Sequence, residues 1–180
     1  ELFQVIKARL GEKPIIAEDL GYVTDTVRRM VKESGYPNMK VLEFAFDSRD
    51  SSGAGDYLPH NYTHNCVVYT GTHDNDTVMG WYDTLKGADK KLCDDYLRLK
   101  NADGEPIPRE QLPWEFVRAA MSSVADLAII PMQDYLGLGS EARINIPSTL
   151  GINWKWRMGN GDFTKELAGR IRSMTKLYGR

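Results

Sequence analysis

The sequence predicts an α/β protein built as about half of a (β/α)8 TIM-type barrel. Three observations lead there. Short apolar, β-branched runs alternate with stretches of helical periodicity, the pattern of βαβ units and a parallel sheet. Each run ends in a carboxylate, at Glu18, Asp47, Asp74 and Asp134. In a barrel the C-terminal strand ends form the active face, so these groups would converge on one cleft. Finally, only about four such runs fit into the 180 residues, whereas a whole barrel takes eight strands and roughly 250 residues. No repeat, low-complexity stretch or linker interrupts the chain, so 1–180 reads as a single partial domain.

The elements follow in order. Leu2, Val5, Ile6 and Leu10 recur at helical spacing, and Gly11 stops them. Pro14-Ile15-Ile16-Ala17 is a short strand ending in Glu18-Asp19. Thr24 or Asp25 caps the next helix, whose inner face carries Val27, Met30 and Val31 and which Gly35 and Pro37 terminate. Lys40 to Phe46 is expected as a strand running into Asp47, and residues 48–64 as a polar loop. Val67-Val68-Tyr69 is the best strand in the chain. Residues 78–125 read as a helical excursion broken at 102–108, with a clear helix from Trp114 to Val124. Leu127 to Met132 is another apolar run, ending in Gln133-Asp134. A glycine-rich loop and the Arg143–Pro147 segment follow, and a last helix spans about Thr164 to Tyr178, burying Leu167, Ile171, Met174 and Leu177.

Composition narrows the function. The net charge is −2, with 42% apolar and 27% charged residues. That is a globular balance with no basic field for nucleic acid or an anionic membrane. No apolar run approaches the roughly 20 residues of a membrane span. Cys66 and Cys93 are the only cysteines and form no C-x-x-C pair. They point to a reduced, cytoplasmic protein, with Cys66 as a small buried apolar residue. The N-terminus has no signal-peptide layout, lacks a starting Met and reads as the inside of a helix, so a piece of a longer protein is expected.

The stretch richest in chemistry is Tyr69-Thr70-Gly71-Thr72-His73-Asp74-Asn75-Asp76-Thr77. A β-branched strand stops at an imidazole, two carboxylates and an amide. A polar turn with local backbone bonds would have the same composition, but three further carboxylates on strand ends favour a site. Paired carboxyls suit glycosidic bond chemistry, in which one must protonate the leaving oxygen of an oxocarbenium-like transition state. Tyr62, Trp81, Tyr82, Trp154 and Trp156 offer flat faces to a sugar, with Trp156 the best suited to core packing. A metal hydrolase is the competing reading, since His60, His64, His73, Asp74 and Asp76 are ligand types. It lacks an H-E-x-x-H, and Asp74-Asn75-Asp76 lacks the glycine and final glutamate of a calcium loop. No metal and no cofactor are therefore expected.

Several segments together resemble the 4-α-glucanotransferases (amylomaltases, or disproportionating enzymes), relatives of the α-amylases. They are Ile16 to Gly21, Val41 to Asp47, Leu58 to Tyr62, Tyr69 to Thr77, Ile130 to Gly139, Arg143 to Pro147 and Gly151 to Arg157. The likeness runs from about residue 14 to 178. It implies an α-retaining double displacement on α-1,4-glucans, with the 4-hydroxyl of glucose or another glucan as acceptor. Glu18 matches the general acid/base at the end of the fifth barrel strand. Asp74 matches the transition-state-stabilising aspartate at the end of the seventh. His73 beside it is implied as a sugar ligand, as are Asp47 at the sixth strand end and Asn145 after the eighth. His60, Asn75, Gln133 and Asp134 are implied as further substrate-side or rim residues.

The resemblance also implies an absence. The family's nucleophilic aspartate lies on the fourth strand, upstream of the acid/base, and the residues before Glu18 contain no aspartate. The chain is thus expected to be strands five to eight, the C-terminal half of the barrel, inactive by itself. A non-catalytic carbohydrate-binding half-barrel is the alternative for the isolated chain. Its expected partners are α-1,4-glucans, maltooligosaccharides and the missing N-terminal half. Unpaired strand edges would also invite self-association.

Overall fold

The computed structural model describes residues 2–21, 23–47 and 54–180. A three-stranded parallel sheet, β1 (Asn38–Val41), β2 (Cys66–Tyr69) and β3 (Leu127–Ile129), lies at its centre in the order β1-β2-β3. Met39 stands opposite Val67, and Tyr69 opposite Ile129. The Pro14–Ala17 run reaches the sheet through one parallel bridge, Ala17 to Asn38, where the Ala17 N–H donates to the Pro37 carbonyl at 2.8 Å. The chain is therefore α/β with a parallel sheet, and its first predicted strand is reduced to a bridge.

Seven α-helices are described: α1 (Leu2–Leu10), α2 (Asp25–Ser34), α3 (Val78–Thr84), α4 (Gly87–Leu97), α5 (Leu112–Met121), α6 (Met132–Leu136) and α7 (Lys165–Leu177). Thr24 caps α2 by accepting from the Val27 N–H. Gly35 ends it at φ 74°, a left-handed conformation that favours glycine. Thr77 and Thr164 cap α3 and α7 in the same way, accepting from Gly80 and Leu167. The predicted helix 114–124 starts two residues earlier, with Pro113 in the first turn of α5, and stops at Met121.

The period-2 alternation of β2 separates two environments. Cys66 and Val68 face α5 and pack with Tyr62, Ala120 and Ala125. Tyr69, with Met39 of β1, faces an open cavity on the other side of the sheet. The larger core lies beside the sheet, where Leu42 and Phe46 meet Val78, Met79 and Tyr82 of α3, Cys93 and Leu97 of α4, and Leu112 and Phe116 of α5.

Two expectations about elements are corrected. Lys40 to Phe46 is not one strand: β1 ends at Val41, and Leu42–Phe46 forms a 3₁₀ turn that buries Leu42, Glu43, Ala45 and Phe46. A continuous apolar run fits a buried turn as well as a buried strand, and burial all round removes any alternation. In the last helix Leu167, Ile171 and Met174 are half-buried, but Leu177 is 74% exposed. That end is held instead by Arg180, which donates to the carbonyls of Met121 at 3.1 Å and Ser123 at 2.7 Å. Part of the predicted 48–64 loop, residues 48–53, lies outside the described residues. The remainder forms two 3₁₀ turns, Ala54–Tyr57 and Pro59–Asn61. Among the described residues no helix is long and apolar enough to cross a membrane.

Candidate active site

β2 delivers its polar cluster as a tight turn. The Asn75 N–H donates to the Thr72 carbonyl at 3.2 Å, and Asn75 Oδ1 accepts from Thr72 N at 2.9 Å and Thr72 Oγ1 at 2.7 Å. This Asn-closed loop turns the His73 and Asp74 side chains outward, and both are exposed. His73 Nε2 lies 3.3 Å from Asp74 Oδ1. Gly71 precedes the turn where the backbone must pass close to another group: a Cβ there would sit 2.8 Å from Glu43 Oε1.

Glu18 reaches the same place by a different route. Its segment has little sheet pairing of its own, and its neighbour Asp19 anchors it. Asp19 accepts from Asn38 Nδ2 at 3.1 Å and from the Met39 N–H at 3.0 Å, fastening the 14–20 segment to the start of β1. Glu18 is then exposed at the rim of a cleft that it shares with Leu20, Phe44, Thr72, His73, Asp74, Asn75 and Pro147, about 350 Å³ in volume. A neighbouring cavity of about 480 Å³ holds Glu18 and His73 together with Ile16, Met39, Tyr69, Ile129 and Ile144. The Tyr69 hydroxyl is pushed up in pKa first by burial and then by the Glu18 carboxyl, and the two residues line the same cavity at the end of β2.

The segment after α6 closes the third side. Asn145 Nδ2 donates to Asp74 Oδ1 at 2.6 Å. Arg143 bridges the two loops through main-chain oxygens, donating to that of Asp74 at 2.7 Å and that of Asn145 at 2.9 Å. Asn153 folds the following loop by accepting from the Ile146 N–H and donating to the Thr149 carbonyl. This brings the exposed Trp154 ring to 5.1 Å from the His73 ring.

Below the cleft the polar groups serve the fold. Asp134 is 1% exposed and accepts from Thr70 Oγ1 at 2.5 Å and from the Val78 N–H at 2.9 Å. It thereby ties α6, β2 and the first turn of α3 together. Burial pushes its pKa up to about 6, against the two hydrogen bonds that favour the anion. Gln133 is 3% exposed and donates to the Ala142 carbonyl at 3.1 Å.

The structure thus gathers Glu18, His73, Asp74, Asn75 and Asn145 around one cleft and disperses the other candidates. Asp47 closes the 3₁₀ turn Leu42–Phe46, is half-buried and lines neither cavity. His60 sits in the Pro59–Asn61 turn with its Nδ1 3.0 Å from the Tyr96 hydroxyl and its ring beside that tyrosine. Asp134 is enclosed, and Gln133 meets the cavity with its amide already committed. Of the aromatics, Tyr62, Tyr82 and Trp81 belong to the core, and Trp154 stands at the cleft. Among the described residues no three His, Cys, Asp or Glu side chains gather as a metal site would need. Sequence reasoning missed Asp19, Glu43 and Arg143 as builders of the site. Asp19 carried a signal, since an acid next to a candidate acid/base can cap or clamp the backbone. Glu43 and Arg143 carried none until the loops were placed in space.

Comparison with known proteins identifies the lineage. A family model described as 4-alpha-glucanotransferase matches residues 1–162. The chain belongs to the 4-alpha-glucanotransferase family. It is 49% identical to the 4-alpha-glucanotransferase of Clostridium butyricum, matching over 100% of this chain and 35% of that protein. It is 44% identical to the Thermus thermophilus enzyme, over 98% of this chain and 35% of the relative. A chloroplastic/amyloplastic relative from Solanum tuberosum is 45% identical, over 99% of this chain and 30% of the relative. Among solved structures, an amylomaltase from Streptococcus agalactiae in complex with acarbose superposes with a TM-score of 0.85 at 38% identity. That match covers 99% of this chain and 34% of the amylomaltase. This member of the 4-alpha-glucanotransferase family therefore spans about a third of the length of its relatives.

Proposed function

We propose that the chain is the C-terminal half, about strands five to eight, of the (β/α)8 catalytic barrel of a 4-α-glucanotransferase. The parent protein transfers α-1,4-glucan segments to the 4-hydroxyl of glucose or another glucan by a retaining double displacement. The observation that carries this reading is the meeting of Glu18, His73, Asp74 and Asn75 in one cleft at the C-terminal ends of parallel strand segments. That is where a barrel concentrates its chemistry. Support for the half-barrel comes from the sheet's second face. Leu127 and Ile129 of β3 are 47% and 38% exposed, and Ile16 across the cavity is 40% exposed. In a closed barrel these residues would meet strands contributed from outside this chain.

In the proposed reaction Glu18 gives its proton to the glycosidic oxygen of the leaving chain. It then takes a proton from the acceptor hydroxyl when the glycosyl group is passed on. The nucleophilic carboxylate comes from outside the chain. Asp74, held by Asn145 and His73, presents negative charge to the oxocarbenium-like centre. His73 binds sugar hydroxyls, Asn75 closes the turn that presents it, and Trp154 offers a stacking face. The two buried thiols suit a reducing compartment, which we read as the cytoplasm.

The test is disproportionation of maltotriose by the full-length protein into glucose and longer maltooligosaccharides. Glu18→Gln and Asp74→Asn should each cut kcat by about 10²–10⁴-fold, the range for loss of acid–base or electrostatic help. Wild-type turnover in either variant would refute the assigned role. The 180-residue chain alone should produce no transfer, leaving it at most a carbohydrate-binding half-barrel that pairs through its free sheet edge.

A further inference from the structure

We propose that Glu43 is a positioning residue of this site: its buried carboxyl packs against the Asn75 side chain and through it sets the turn that presents Asp74. The inference rests on the reading of Asp74 given above.

The contacts form a continuous path. Glu43 is 2% exposed, and its N–H donates to the Thr70 carbonyl at 3.3 Å, which pins it beside the end of β2. Its carboxyl occupies the space that a side chain at 71 would fill, 2.8 Å from where a Cβ would stand. Gly71 therefore lets the acid approach the turn from below. Asn75 Cβ lies 3.2 Å from the same Cβ position at 71, so the carboxyl stands against the base of the Asn75 side chain. Its other end, Oδ1, takes both hydrogen bonds from Thr72. Thr72 Oγ1 in turn accepts from the Asp74 N–H at 3.3 Å. A side chain held by Thr72 at its tip and backed by the buried carboxyl at its base has little room to turn, so the loop it closes keeps one shape.

A second observation marks Glu43 as more than filling. Its Oε1 is buried with no hydrogen-bond partner among the described residues. Such a group is costly to keep, and burying Leu or Met there would remove the cost. The groups facing it are Asp134, Asp76, Asn75 and Arg143. Burial first, then the negative charges of Asp134 and Asp76, favour the neutral acid, against Asn75 and Arg143, which favour the anion. Glutamine copies the shape and charge of the neutral carboxyl.

The experiment measures kcat and KM for maltotriose in the full-length protein carrying Glu43→Ala, Glu43→Gln, Asn75→Ala or the Glu43→Ala/Asn75→Ala pair, with Asp74→Asn in parallel. Misplacing a reacting group by about 1 Å can cost up to about 10²-fold. Glu43→Ala should therefore lower kcat by about 10- to 100-fold with KM little changed, and Glu43→Gln should restore most of it. Because both residues act through one path, the double variant should be no slower than the worse single one. Unchanged kcat in Glu43→Ala, a glutamine as damaging as the alanine, or losses that multiply in the double variant would each overturn the proposal. If Glu43→Ala does not fold, the Gln variant and the Asn75→Ala rate decide. Full activity in Asp74→Asn would instead overturn the reading of the cleft, whatever Glu43 does.

Discussion

Replacing Asp134 by asparagine should flatten the dependence of stability on pH. The Asp134 carboxyl is enclosed, and burial raises its pKa from 3.8 to about 6. Between those values the native protein keeps a proton that the unfolded chain has released. The native state binds more protons there, so stability falls as pH rises. The contribution is fully present below about pH 4 and is lost as pH passes through about 6. A gap of about two pH units at roughly 1.36 kcal/mol each comes to about 3 kcal/mol. Asparagine has the same outline, can accept from the Val78 N–H through its oxygen and can donate to Thr70 Oγ1 through its nitrogen. The fold is therefore retained while the titration disappears. Urea unfolding of the full-length protein and of Asp134→Asn at pH 4, 5, 6 and 7 gives the difference directly. The variant should gain about 3 kcal/mol on the wild type from the lowest to the highest pH. Glu43, raised partly by Asp134, adds to the difference in the same direction. Parallel stability curves, or a variant that loses ground as pH rises, would refute the assignment of Asp134 as a buried, proton-holding anchor.

Three further outcomes follow from the same geometry. Asp19→Ala removes the two side-chain hydrogen bonds that help the Ala17 bridge hold the Glu18 segment to β1, leaving the Met39 N–H without its acceptor. It should cost about 1–3 kcal/mol and lower kcat with KM almost unchanged, as read by thermal melts and maltotriose kinetics. Trp154→Ala takes the exposed ring from beside His73 and should raise KM several-fold while kcat stays near wild type; an unchanged KM would remove that ring from the binding surface. Cys66 and Cys93 are both buried, and burial pushes the first thiol up to about 11 and the second further. Iodoacetamide at pH 8 should label neither at an appreciable rate until urea is added, as mass spectrometry will show.

The parallel sheet and the cleft were legible in the chain because they rest on short-range signals. Val67 to Tyr69 is β-branched and apolar, and it ends in a polar turn whatever else surrounds it. The caps at Thr24 and Gly35 are read from side-chain chemistry alone. What was not legible depends on groups distant in sequence. Whether Leu42 to Phe46 is strand or turn is decided by a core that covers it from every side. Asp134 and Asp74 end similar apolar runs, yet α3 encloses the first and leaves the second open. His60 and Trp81 have suitable chemistry for sugar, but Tyr96 and Phe46 take them. The resemblance supplied roles for single residues. It did not supply the supports at Asp19, Glu43 and Arg143, which show only when the loops meet.

The Arg143 bridge has a practical side. It grips the main-chain oxygen of residue 74 and not its side chain. The strap between the two loops is therefore indifferent to which amino acid stands at 74. Removing the Asp74 carboxylate forfeits its contact with Asn145, but the walls of the cleft stay where they are. Position 74 can thus be silenced without dismantling the receptor around it. A variant of that kind is a trap: it should hold an intact oligosaccharide long enough for the bound pose to be seen.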